Sequence, residues 1–316
     1  MRNPGHYLLL FLKGAAMGAA DVVPGVSGGT IAFVSGIYVE LIDTIKSINL
    51  KALKALRSKG IAAAWAHING KFLVTLLAGI LTSLFSLAKV MQYLLVAHPL
   101  PLWSFFTGLI VGSVIYLMRQ HPPTRMTDKG LFVLGVVIAY GISIAPAVTL
   151  HGDHLTMFLA GSIALCAMIL PGISGSFILV LLGLYPVFIG AIVNFQLDIL
   201  VVFALGGVIG LMAFSRLLSW LLDHYQSAVI ATMCGFLVGS LNIIWPWKQV
   251  TESVLSHSGK TIVLASENLL PQKFAQIGGQ DPQTVLCVMA FILGLVLVLG
   301  LEYIGQKYSA KSAQAA

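Results

Sequence analysis

A proline-glycine break inside apolar sequence, written twice, constrains this chain more than any other feature. The stretch Asp21-Val22-Val23-Pro24-Gly25-Val26-Ser27-Gly28-Gly29-Thr30 returns 147 positions later as Met168-Ile169-Leu170-Pro171-Gly172-Ile173-Ser174-Gly175-Ser176-Phe177. Laying residues 24–45 over 171–192 gives nine identities in 22 positions, which marks an internal duplication. Each copy interrupts an apolar run with Pro-Gly-x-Ser-Gly. Proline lacks the amide donor and clashes with the preceding turn, and glycine admits conformations that other residues avoid. No straight helix passes through Pro24-Gly25 or Pro171-Gly172. At membrane depth, broken backbone is tolerated only where protein buries it or where it lines a polar cavity. Two breaks at matching positions in two halves point to the binding site of a transporter.

Membrane class follows from composition. Of 316 residues 58% are hydrophobic and 9% charged, with a mean hydropathy of +0.95, whereas soluble domains carry about 25% charged residues. The net charge of +7 lies between apolar spans, as in cytoplasmic loops, and forms no nucleic-acid footprint. Cys166, Cys234 and Cys287 stand singly in apolar runs and read as core residues, so neither a metal nor a cofactor is expected. The N-terminus imitates a signal peptide. Lys13 interrupts its apolar run, however, and cleavage would remove one arm of the motif, so it reads as mature sequence.

In order, the first half (1–150) has a broken pair at 7–45, a basic segment at 46–71, and spans at 72–97, 102–118 and 130–150. The second half (151–316) has a broken pair at 155–195, spans at 197–222, 228–246 and 284–305, and an external loop at 247–283. In the basic segment, Lys51, Lys54 and Arg57 interleave with Leu50, Leu53 and Leu56. That pattern fits an interfacial helix on anionic lipid and an ordinary cytoplasmic loop equally well. The repeat continues: Gly108-Leu-Ile-Val-Gly112-Ser113 matches Gly235-Phe-Leu-Val-Gly239-Ser240 at an offset of 127, which also sets Lys89 opposite Arg216. If each broken pair enters and leaves on one face, each half makes three full crossings and the second copy is inverted. Thirteen Lys and Arg then lie inside and three outside (Lys248, Lys260 and Lys273). The expected fold is an all-α polytopic membrane protein with an inverted-topology repeat, each half holding a re-entrant pair plus three transmembrane helices. It would sit in a bacterial or archaeal plasma membrane with cytoplasmic termini.

Chemistry concentrates at the breaks. Helices starting at Ser27 and Ser174 direct unbonded N–H groups into them. Gly28, Gly29 and Gly175 let an oxyanion approach the backbone, and Ser27, Thr30, Ser174 and Ser176 add hydroxyls, so the two turns together suit an anion. Structural capping by the serines is the plainer reading of a single copy. Lys89 and Arg216 fall within apolar spans, where a charge costs at least about 3 kcal/mol; a phosphate would offset that cost, and snorkelling is the alternative. Asp21 and Glu40 are candidates for ion coupling by a proton or Na⁺, or for structural pairing with Lys13, Lys89 or Arg216. Aspartates 43, 153 and 223 and histidines 98, 151, 154 and 224 read as loop residues, and Glu302 as interfacial. Gly-x-Ser-Gly also occurs around the nucleophile of rhomboid proteases. Such a serine needs a histidine within reach, and no histidine lies well inside an apolar span.

The run Gly14-Ala-Ala-Met-Gly-Ala-Ala-Asp-Val-Val-Pro-Gly-Val-Ser-Gly-Gly-Thr30, with Gly36-Ile-Tyr38 and the Leu170-Pro-Gly-Ile-Ser-Gly-Ser176 echo, resembles the PopT-type translocases. The resemblance spans residues 8–305. It implies a flippase that returns undecaprenyl phosphate, a polyprenyl-phosphate lipid carrier of cell-envelope synthesis, from the outer to the cytoplasmic leaflet. It also implies broken or re-entrant helices in an inverted repeat. The partners expected are this lipid, membrane lipids and a coupling ion. An ion-coupled transporter of a soluble anion would use the same breaks and cations. A channel or scaffold would not need the Lys89 and Arg216 pair.

Overall fold

A computed structural model describes residues 4–21, 27–86, 88–145, 150, 152–255 and 261–314. Among them the chain forms α1 (Pro4–Asp21), α2 (Gly28–Val34), α3 (Tyr38–Ser47), α4 (Leu50–Lys59), α5 (Ile61–His67), α6 (Gly70–Ser86), α7 (Ala88–Ala97), α8 (Pro99–Gln120) and α9 (Met126–Ile144). There follow α10 (His154–Ile169), α11 (Gly175–Leu181), α12 (Tyr185–Val193), α13 (Leu197–Ser240), β1 (Lys248–Leu255), β2 (Thr261–Asn268), α14 (Pro271–Gly278) and α15 (Thr284–Gln314). The protein is a helical, multi-pass membrane protein. Among the described residues the one small sheet is the antiparallel β1–β2 hairpin, paired from Lys248↔Asn268 to Leu255↔Thr261, in the stretch that sequence alone leaves as a loop.

The second arm of each broken pair is not one helix. α2 and α3 meet at 119°, and α11 and α12 at 116°. Both bends follow from a glycine in the left-handed region, Gly36 at φ 72° and Gly183 at φ 68°. Gly36 N–H donates to Phe33 O and Ile37 N–H to Ala32 O; Gly183 N–H donates to Val180 O and Leu184 N–H to Leu179 O. These paired bonds satisfy the last helix carbonyls in a Schellman arrangement, which requires positive φ at the glycine.

In the first half, α2 runs back along α1. Gly28 bonds to Asp21 at the far end of α1, and Ser35 O accepts from Lys13 Nζ two turns earlier. α3 then packs on α13, with Tyr38 and Ile42 buried in the main core beside Phe106, Met233 and Leu237. The expected span 72–97 falls on α6 and α7, between which residue 87 lies outside the described residues. The expected spans 197–222 and 228–246 run together as the 44 residues of α13, with non-helical backbone at Tyr225 (φ −135°, ψ 41°). At 1.5 Å per residue that is about 66 Å, twice the roughly 30 Å of a hydrocarbon core, so the chain must turn there to cross twice.

Small residues set how the helices pair. A Cβ on Gly14 would lie 2.4 Å from Leu76 O, and one on its counterpart Gly161 would lie 2.2 Å from Phe203 O. α1 thus packs on α6 as α10 packs on the first part of α13. Likewise a Cβ on Gly108 would lie 2.0 Å from Phe291 O and one on Gly235 2.2 Å from Phe132 O. α8 of the first half therefore packs on α15 of the second, and the second part of α13 packs on α9 of the first. Close backbone approach at small residues is the usual basis of helix association in lipid.

Candidate functional site

The two motifs meet. Ser27 Oγ donates to Met168 O at 2.7 Å, and Gly172 N–H donates to Thr30 Oγ1 at 2.9 Å. These bonds link the first motif to the second across 141 and 142 positions of sequence. Ser27, Thr30 and Ser174 are buried, as are Pro171 and Gly172, the latter with φ 83°. Pro24 and Gly25, the first pair of break residues, lie outside the described residues.

The two copies differ chemically at their helix starts. Gly28 N–H donates to Asp21 Oδ1 at 2.6 Å and Gly29 N–H to Ser27 Oγ at 3.2 Å, so the first turn of α2 is held by its own chain's carboxylate and hydroxyl. Among the described residues no side chain caps α11, where Ser174 Oγ instead shares a 2.9 Å hydrogen bond with Ser176 Oγ. Ser176 is exposed. Met168 stands at the repeat position of Asp21 and offers no acceptor for an N–H.

Protein atoms already fill the open sides that the sequence assigns to an incoming oxyanion. A Cβ on Gly28 would lie 2.7 Å from Asp21 Oδ2, one on Gly29 2.5 Å from Met168 O, and one on Gly175 2.6 Å from Ala164 O. One on Gly172 would lie 2.8 Å from Phe236 O. The glycines let the two motifs pack backbone to backbone, and the oxyanion at Gly28 is the carboxylate of Asp21.

The remaining candidates lie on other elements. Arg216 is exposed on α13, where its Nη1 donates to Met212 O at 3.4 Å on its own helix. Lys89 is in the first turn of α7, and its side chain lies outside the described residues. Glu40 Oε1 accepts from Asn69 Nδ2 at 2.7 Å, which ties α3 to the start of α6. The side chain of Glu302, together with His151 and Lys260, also lies outside the described residues.

Sequence reasoning missed a polar chain between α3 and α13. Lys46 Nζ donates to Ser219 Oγ at 2.8 Å, and Ser219 Oγ donates to Asp43 Oδ1 at 2.8 Å. Asp43 looked like a loop residue because it is near the end of an apolar run. Its signal was the three-residue spacing to Lys46, which puts both on one helical face. Asp128, buried in the first turn of α9, accepts from Ser227 Oγ at 2.9 Å and had no sequence signal at all.

Comparison with known proteins gives a consistent result. Residues 17–262 match the family model described as VCA0040-like, undecaprenyl phosphate translocase-like. A protein of Vibrio cholerae serotype O1 named polyprenyl-phosphate transporter is 46% identical over 302 residues, which is 96% of this chain and 98% of that protein. A Staphylococcus aureus protein of the same name is 36% identical over 253 residues, covering 74% of this chain and 85% of the relative. No solved structure matches.

Proposed function

The chain belongs to the undecaprenyl phosphate translocase-like family, and on that premise we propose that it carries polyprenyl phosphate from the outer to the cytoplasmic leaflet of a plasma membrane. It acts as a transporter rather than an enzyme, in keeping with the names of its relatives. The observation that carries the site reading is the contact of the two Pro-Gly-x-Ser-Gly motifs through Ser27–Met168 and Thr30–Gly172. A phosphate on an apolar tail needs a polar, hydrogen-bonding station for its headgroup, while the tail stays in lipid. Ser174 and Ser176, with the uncapped start of α11, offer donors to that headgroup. Ser27, Gly28, Gly29 and Thr30 form the facing wall, and Gly175 keeps that turn close to α10.

Asp21 gives the site a switch. Its carboxylate occupies the Gly28 amide that a phosphate oxygen would otherwise accept from. Carboxylate and phosphate repel, so a proton or Na⁺ on Asp21 favours entry of the headgroup and its loss favours departure. Glu40 sits farther along the same hairpin as a second ion-coupling candidate. Arg216, an exposed guanidinium, binds the phosphate through two parallel bonds, with Lys89 as its counterpart in the repeat. The two halves are inverted repeats that rock against each other around the motifs to give alternating access.

The test is movement between leaflets in proteoliposomes, with undecaprenyl phosphate, undecaprenol and inorganic phosphate compared under proton and Na⁺ gradients. Movement of undecaprenyl phosphate but not undecaprenol is expected, and it should slow when Asp21→Asn removes the titrating group. Transport of inorganic phosphate without the lipid would replace this reading by a soluble-anion transporter.

A further inference from the structure

A cleft lies beyond the end of α7. It encloses about 570 Å³ between the starts of α8 and α15, the stretch after α13, and α14. Trp103, Trp245, Phe274 and Leu100 give it apolar and aromatic walls. The stretch is firmly built: Trp245 Nε1 donates to Leu269 O at 2.8 Å and Trp247 Nε1 to Pro282 O at 2.9 Å.

Two polar groups in this apolar setting have unmet capacity. Lys248 lines the cleft and is largely buried, and the one acceptor found for it among the described residues is Ile243 O at 2.5 Å. An ammonium carries three donors. Asp281 also lines the cleft, but it accepts from Gln283 N–H at 2.9 Å and forms no ion pair with Lys248 among the described residues. Gln283, at φ 46°, has a buried Oε1 with no hydrogen-bond partner among the described residues. A buried cation without a counter-ion and a buried acceptor without a donor are both costly. One ligand chemistry answers the first: a phosphate monoester, whose oxygens accept from Lys248. The aromatic walls suit an apolar group attached to it.

We propose that this cleft is a capture site for the phosphate headgroup and first isoprene units of the lipid substrate, separate from the paired motifs. It rests on the transport reading for the identity of the lipid, while the phosphate chemistry rests on Lys248. Burial lowers the proton affinity of Lys248, and an anion beside it would reverse that effect.

The direct test titrates the purified full chain in detergent with farnesyl phosphate, farnesol and inorganic phosphate and follows emission from Trp103 and Trp245. Farnesyl phosphate should give a saturable change in the wild type and in Lys248→Arg. Its affinity should fall at least tenfold in Lys248→Gln, a loss of about 1.4 kcal/mol. Unchanged affinity in Lys248→Gln, or no saturable change in the wild type, would overturn the proposal. Equal binding of farnesol would also overturn it by making the cleft purely apolar, and equal binding of inorganic phosphate would overturn its lipid part. Thermal melts of Lys248→Arg and Lys248→Gln exclude misfolding as the cause. Because binding is read without transport, absent lipid movement in the wild type would reject the transport reading alone.

Discussion

Every charged side chain from Lys13 to Lys46 has an uncharged residue at its repeat position: Lys13 and Ala160, Asp21 and Met168, Glu40 and Val187, Asp43 and Gly190, Lys46 and Val193. The polar bonds of the first hairpin, Lys13 to Ser35 O, Asp21 to Gly28 and Lys46 to Ser219, therefore have no ionic equivalent in the second. Duplication made the two breaks legible from sequence. Which donors they leave free was not legible, because Ser27 and Ser174 look alike until the partners Met168 O and Ser176 Oγ are placed. At Lys248 a single residue also carries a pH prediction. Burial pushes its ammonium down to about 8 from an ordinary value near 10.5. The groups around it are Asp281 in the cleft, Glu267 opposite Gln249 across the hairpin, and Lys273 on α14. The unfolded chain binds more protons than the folded one between those values, so the stability of the ligand-free protein rises from pH 8 to 10.5 on account of this residue. Melting temperatures of wild type and Lys248→Met, measured across that range, should converge as pH rises. A constant difference would contradict the burial of Lys248 as a charge.

At the scale of the element, the bends at Gly36 and Gly183 were present in the sequence as a repeated Gly-x-Tyr, yet the arms 27–45 and 173–195 read as single helices. Apolar composition does not register a left-handed glycine in the middle of a run, whereas proline announces itself. At Tyr225 the polar residues Asp223 and His224 marked the place where α13 kinks between its two parts. Gly36 has open space around it, so its substitution isolates conformation from packing. Gly36→Ala places a Cβ in the left-handed region and should cost about 1–2 kcal/mol, with Gly36→Asn costing less. Denaturant midpoints in detergent would show this order. An alanine variant as stable as the wild type would mean that α2 and α3 do not turn at this glycine.

Across the whole molecule, the last helix of each half packs on the other half. Gly108 sits against Phe291 in α15 and Gly235 against Phe132 in α9. Sequence offsets of 127 and 147 revealed the correspondence of these residues but not their partners, since a repeat says which positions are alike and not which ones touch. This exchange, with the hydrogen bonds between the motifs, joins the two halves around Ser27, Thr30, Gly172 and Ser174. The central claim is that a lipid phosphate is handled at that junction. The most direct measurement is the initial rate of undecaprenyl phosphate movement between leaflets in proteoliposomes, wild type beside the double variant Ser174→Ala, Ser176→Ala. These two hydroxyls bond to each other, so their removal leaves the Ser27–Met168 and Thr30–Gly172 links in place. The expected result is a rate at least about tenfold lower, the equivalent of one charge-assisted hydrogen bond, at unchanged melting temperature. A double variant that moves the lipid at the wild-type rate would contradict the assignment of the headgroup to the paired motifs.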